Sequence, residues 1–98
     1  MKVYVTSGDT KSQEGKSKLV EAEKIIRSQG HSVLSPRMID DFLPEGFDDK
    51  DRMESRLNAV SICDVVFFLK DYQSSNNSMR ELIKARDLKK NVQFERMN

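Results

Sequence analysis

The residue types best suited to chemistry lie together, where Asp71-Tyr72-Gln73-Ser74-Ser75-Asn76-Asn77-Ser78 runs into Met79-Arg80-Glu81. Serine and asparagine satisfy the free amides of a helix start, which predicts one near Asn76 to Ser78 with Glu81 in its first turn. A helix N-terminus favours an ionised carboxylate, the state in which Glu81 could attack carbon as a nucleophile. The same helix end, with the hydroxyls of Ser74, Ser75 and Ser78, would also attract a phosphate. The structural alternative is that Glu81 complements the helix dipole while its polar neighbours cap the helix.

Those side chains need a frame. Just before them, Val65-Val66-Phe67-Phe68-Leu69 is an unbroken apolar run of β-branched and aromatic residues, the pattern of a strand covered on both faces in a parallel sheet. Ligands of open α/β sheets bind outside the carboxyl ends of strands, so Glu81 and the Ser74 to Ser78 run would border that crevice. Lys2 to Thr6 reads as a first strand ending at the loop Ser7-Gly8-Asp9-Thr10. Leu19, Val20, Ala22, Ile25 and Ile26 then recur at helical spacing, with lysine and glutamate on the other face and Gly30 as the stop. His31 to Ser35 is a second strand closed by Pro36, and Arg37 to Gly46 reads as irregular. Asp48 and Asp49 suit a helix start, and Met53, Leu57, Val60 and Ile62 mark the buried side of that helix. Val92 to Phe94 makes a fourth strand before a charged tail from about residue 95. The βαβαβαβ order implies right-handed crossovers and a parallel four-stranded sheet of order 2-1-3-4, helices on both faces. The expected architecture is one small flavodoxin-like or Rossmann-like three-layer α/β domain over residues 1–98.

Other candidates have plainer explanations. Gly15-Lys16-Ser17 resembles the end of a phosphate-binding loop, but Thr10 stands where that pattern needs its first glycine, leaving a solvated helix start. His31, the only histidine, has no acid or thiol at motif spacing and reads as structural. Cys63, the only cysteine, precedes a buried strand and reads as a small inert hydrophobe. Asp40, Asp41, Asp48, Asp49 and Asp51 match no calcium loop and read as loop and helix-start acids. No metal or other cofactor is expected.

With 17 basic and 16 acidic residues the net charge is +1, so neither bulk nucleic-acid binding nor anionic-membrane binding is indicated. One cysteine excludes an intrachain disulfide, and no apolar run approaches the ~20 residues of a membrane span. The N-terminus enters a strand without a signal-peptide pattern. A cytoplasmic location is expected, in the host cytoplasm if the chain is phage-encoded.

Val3 to Gly8, Ala22-Glu23, Gly30 to Pro36, Leu43 to Gly46, Met53 to Leu57, Cys63-Asp64 and Glu81-Leu82 together resemble a small phage and bacterial domain of unknown function, DUF4406-like, related to the nucleoside 2-deoxyribosyltransferases. The resemblance spans nearly the whole chain. It implies a glutamate nucleophile for the anomeric carbon of a deoxyribose at Glu81. It also implies substrate contacts from Tyr4, Thr6, Ser7, Gly8, Asp9, Tyr72, Ser75, Asn77 and Ser78, and a site completed by a neighbouring subunit. Two positions depart from relatives. Arg56 stands where they place an aspartate that assists the leaving base, so a general acid would come from Asp51, Glu54 or Asp71. Asn77 stands where they place a glycine, bringing bulk close to the ligand.

Three readings follow. The leading one is an N-glycosidic hydrolase or transferase acting on a nucleoside or its 5′-monophosphate through Glu81, with Asp71 as second carboxylate. Another is a non-catalytic binder of a nucleotide or nucleotide-derived signal, with Arg56 and the serines as anion contacts. The third is an interaction module with a vestigial pocket. Met38, Ile39, Phe42, Leu43 and Phe47, apolar residues outside the expected core, point to a homodimer or larger symmetric oligomer.

Overall fold

In the computed structural model, which describes residues 1–96, four parallel strands are ordered β2-β1-β3-β4: β1 (Lys2–Thr6), β2 (Ser32–Leu34), β3 (Val65–Phe68) and β4 (Asn91–Phe94). Met97 and Asn98, the end of the expected charged tail, lie outside the described residues. β1 and β3 are central, and Tyr4 pairs with Val66 and Thr6 with Phe68. This is the expected order, and it places the topological switch point between β1 and β3.

Alternation along the strands sorts side chains into two layers. Tyr4, Val66 and Phe68 face a core built with Ala59, Val60, Cys63, Leu82 and Ala85, from α3 (Asp49–Ile62), the segment following it and α4 (Asn76–Asp87). Val5 and Val33 face Leu19 of α1 (Gln13–Ser28) on the other side. Leu19 is fully buried, a site where truncation to alanine costs about 2–5 kcal/mol. Beyond α1 this second face opens into a groove of about 560 Å³ floored by Val65, Phe67 and Gln93, so of the central strand only Phe67 is partly uncovered.

The helix starts are chemically explicit. Ser12 accepts from the Gly15 amide to cap α1, and Asp48 and Asp51 cap α3 reciprocally, which accounts for part of the acidic cluster. Cys63 is buried, and its thiol is pushed up by desolvation and by Asp64.

Several expectations are corrected. Residues 37–46 are not irregular throughout, because α2 (Pro36–Phe42) begins there. Pro36 does close β2, but it also occupies the first turn of the next helix, where proline's missing N–H costs nothing, and Ser35 caps that helix by accepting from the Met38 amide. Ile62 is 61% exposed whereas Arg56 on the same helix is buried. Glu23, read as part of a solvated face, is fully buried. Glu81 lies in the second turn of α4, because the cap is Ser75 and the helix starts at Asn76. No helix among the described residues is long and apolar enough to cross a membrane.

Candidate active site

Thr6 and Tyr4 point from the carboxyl end of β1 toward α4, and Glu81 points back from α4 to meet them. The Tyr4 hydroxyl donates a hydrogen bond to Glu81 Oε2. Thr6 Oγ1 donates to Oε1 at 2.8 Å. Both carboxyl oxygens are thus engaged by neutral hydroxyls, and Glu81 is only 1% exposed. Desolvation raises the Glu81 carboxyl above its ordinary value, the hydrogen bonds from Tyr4 and Thr6 and the Arg56 charge oppose the rise, and Asp40 adds to it. The Tyr4 hydroxyl is pushed well up by burial and then by the Glu81 charge. The helix dipole expected to favour the ionised form acts weakly in the second turn, since its effect fades beyond the first.

Behind this triad sits a charged group that sequence reasoning recognised only in part. Arg56 Nη2 on α3 donates to Asp40 Oδ2 on α2 at 2.7 Å. Arg52 donates to the Asp40 backbone carbonyl at 3.1 Å. In the sequence Asp40 is one acid among several, because nothing in a periodic pattern pairs it with an arginine sixteen positions on. The helix now found over 36–42 is what brings it to α3.

The loop after β1 forms a second cluster. Asp71 accepts from the Gly8 amide at 3.0 Å and from the Asp9 amide at 3.0 Å, so both its oxygens hold the loop. Gly8 lies so close to the turn at Tyr72–Ser74 that a Cβ there would overlap Ser74 Oγ and the Asp71 carbonyl. Ser7 Oγ donates to the Asp9 carbonyl at 2.8 Å. The Asp9 carboxylate accepts from the Lys11 and Ser12 amides and from the Ser12 hydroxyl. Those bonds, Ser12 first, hold it below the usual carboxylate range.

The hydroxyls at the start of α4 are also engaged locally. Ser75 accepts from the Asn77 amide, and Ser78 donates to the Tyr72 and Ser75 carbonyls. Tyr72 packs edge-on against Phe68 and tilted against Phe94, which stack on each other. Asn77 is an exposed helical residue rather than a loop residue. The structure thus joins Tyr4, Thr6 and Glu81 directly, sets Arg56 within their electrostatic reach, and makes Ser7, Gly8, Asp9 and Asp71 one braced loop. Among the described residues no group of three or more His, Cys, Asp or Glu side chains could hold a metal ion.

Residues 1–94 match the sequence profile of the domain of unknown function DUF4406. The chain belongs to that family. No curated protein sequence matches it. Among solved structures, this DUF4406 domain resembles a 2-deoxyribosyltransferase from the psychrotolerant bacterium Bacillus psychrosaccharolyticus, with a TM-score of 0.79, 22% identity, and 100% of this chain aligned to 77% of that one. It also resembles a 2-deoxyribosyltransferase from Leishmania mexicana, with a TM-score of 0.73, 13% identity, and 96% of this chain aligned to 63% of that one. A CMP N-glycosidase from Clostridium botulinum aligns with a TM-score of 0.64, 14% identity, and 93% of this chain on 69% of its own. At these identities the likeness shows the fold.

Proposed function

We propose that this DUF4406 domain cleaves or transfers the N-glycosidic bond of a nucleoside or nucleoside 5′-monophosphate, with Glu81 as nucleophile. The observation that carries the reading is a buried carboxylate at the switch point of the sheet, both oxygens oriented by Tyr4 and Thr6, in a fold shared with proteins described as 2-deoxyribosyltransferases and a CMP N-glycosidase. Ionised Glu81 attacks the anomeric carbon, the C–N bond breaks, and its electron pair leaves with the base, which takes up a proton from water. The resulting glycosyl ester is released by water or by a second base. Tyr4 and Thr6 position the carboxylate, and Asp71 holds the loop that borders the sugar, its oxygens being committed to amides. Because Glu81 is 1% exposed, substrate access requires a local opening.

A second reading has its own support: burial that raises the Glu81 carboxyl lowers the share of it that is ionised and able to attack at a given pH, which suits a non-catalytic binder of a nucleotide or nucleotide-derived signal. Chromatographic screening of deoxynucleosides and their 5′-monophosphates separates the two. In the enzyme reading wild type releases free base, and Glu81→Gln reduces release to the uncatalysed level while calorimetric binding persists. Release that survives Glu81→Gln overturns Glu81 as nucleophile, and binding without release by wild type favours the binder.

The exposed Phe42, 85% accessible, and Phe47, 46% accessible, keep a symmetric homo-oligomer as part of the proposal. A monomer by sedimentation at micromolar concentration would count against it.

A further inference from the structure

A base that is neutral in its nucleoside needs a proton as the C–N bond breaks, and a positioned acid ordinarily supplies it. In this chain each carboxylate that could stand in for the aspartate relatives carry at the place of Arg56 is committed elsewhere. Asp71 accepts from the Gly8 amide at one oxygen and from the Asp9 amide at the other. Asp51 accepts from the Asp48 amide in the cap of α3, and Glu54 lies exposed on the same helix. Asp9 accepts from the Lys11 and Ser12 amides and the Ser12 hydroxyl, which hold it below the usual carboxylate range and keep it ionised. Asp40 is paired with Arg56 and Arg52.

The remaining proton donors are unsuited by chemistry or by place. The Tyr4 hydroxyl is spent on Glu81 Oε2 and is pushed well above its ordinary value by burial. Arg56 carries a guanidinium, which does not give up its proton in proteins. His31 and Cys63 stand just before β2 and β3, at the amino ends of the strands, whereas Thr6 meets Glu81 at the carboxyl end of β1. Lys11, Lys16 and Arg37 gather round a small cavity of about 110 Å³ with Asp40 and Asp41. The nucleophile is thus well oriented while the leaving side has no proton donor among the described residues.

We propose that the substrates of this site are N-glycosides whose base is already cationic, a pyridinium or an N7-alkylated purine, so that no proton is needed for the base to leave. A Glu81 oxygen bonds to the anomeric carbon, the C–N bond breaks, and its electron pair neutralises the positive ring, which departs as a neutral base. Water then cleaves the glycosyl ester: its hydroxyl goes to the sugar, its other proton to solvent, and the carboxylate is restored. The acids of the braced loop, Asp9 and Asp71, add attraction for a positive ring. The proposal rests on the reading of Glu81 as nucleophile and narrows its substrate class.

The test compares bases that differ in charge. Wild type is given 7-methyl-2′-deoxyguanosine beside 2′-deoxyguanosine, and nicotinamide riboside beside its neutral 1,4-dihydro form, each also as the 5′-monophosphate. Base release is followed chromatographically and divided by the enzyme-free rate of the same compound. In a pair that is accelerated, the acceleration is expected to be at least about a hundredfold larger for the cation, the lower end of what a general acid contributes. Glu81→Gln should abolish it, and Asp71→Asn should lower both members of a pair alike. Equal acceleration within the pairs, or an Asp71→Asn variant that loses release of the neutral bases alone, overturns this inference and leaves Glu81 as nucleophile. No acceleration of any compound by wild type overturns both.

Discussion

Among the described residues two carboxylates are buried, on helices from opposite faces of the sheet, and they are held in opposite ways. Glu23 on α1 is 0% exposed, and its carboxylate accepts from Ser35 Oγ at 2.9 Å, from Arg37 Nε at 3.1 Å and from Arg37 Nη2. Its charge meets a formal positive charge at bonding distance, in the paired fork geometry that arginine favours. Glu81 is 1% exposed and is held by hydroxyls alone, with Arg56 acting only through space. The first arrangement pairs an acid with a guanidinium and ties α1 to the end of β2 and the start of α2. The second leaves a carboxyl raised by desolvation and held by neutral donors. That contrast separates a structural acid from a candidate reactive one, although their burial is nearly identical.

The contrast is open to measurement. Breaking the Glu23 pair leaves Arg37 unmatched while 24% of its side chain still reaches water, so Glu23→Gln should cost about 2–4 kcal/mol in chemical denaturation. Base release per folded molecule should stay unchanged, and a loss below about 1 kcal/mol would place Glu23 among weak surface pairs. Tyr4→Phe removes the donor to Glu81 Oε2 and leaves a buried oxygen unpaired, about 1–3 kcal/mol. It should also move the acidic limb of kcat/KM to higher pH, since the Tyr4 hydrogen bond opposes the rise in the Glu81 pKa; an unmoved limb would detach Tyr4 from the ionisation of Glu81.

Thr6→Val, similar in shape, should cost roughly 1 kcal/mol and move the limb in the same direction. The smallest effect at any one pH is that of Glu81→Gln on stability. The native carboxyl binds its proton more tightly than the unfolded one, so wild type is favoured below the ordinary value of 4.5 and loses that contribution as pH rises through the higher native pKa. Glu81→Gln should flatten this slope in pH-dependent melts, and an unchanged slope would mean that Glu81 is not the group responsible.

Much of the frame was legible. The apolar runs at β1 and β3 and the polar punctuation between them gave the strand order, because a parallel sheet needs continuous apolar strands. α2 was hidden because Pro36 can end one element and start the next. The resemblance singles out Glu81, Tyr4 and Thr6, but their mutual bonding is visible only in the structure, since no local pattern links positions so far apart. Arg56 was noticed as a departure, whereas Asp40 became visible only when α2 met α3. Glu23 was misread because helical periodicity assigns a face by residue type, and a charged residue paired by Arg37 from the next helix violates that rule.

The hydrogen bond from Tyr4 to Glu81 closes a separation of 77 residues. During synthesis, which proceeds from the N-terminus, the Tyr4 and Thr6 hydroxyls emerge long before the carboxylate that will accept from them, and β1 lacks its β3 neighbour for most of that time. Contacts of this range form late because loop closure precedes any stabilising gain. The constellation therefore cannot close until α4 is made, and a nascent chain that stalls before it presents the Tyr4 and Thr6 hydroxyls without their acceptor to whatever chaperones meet it.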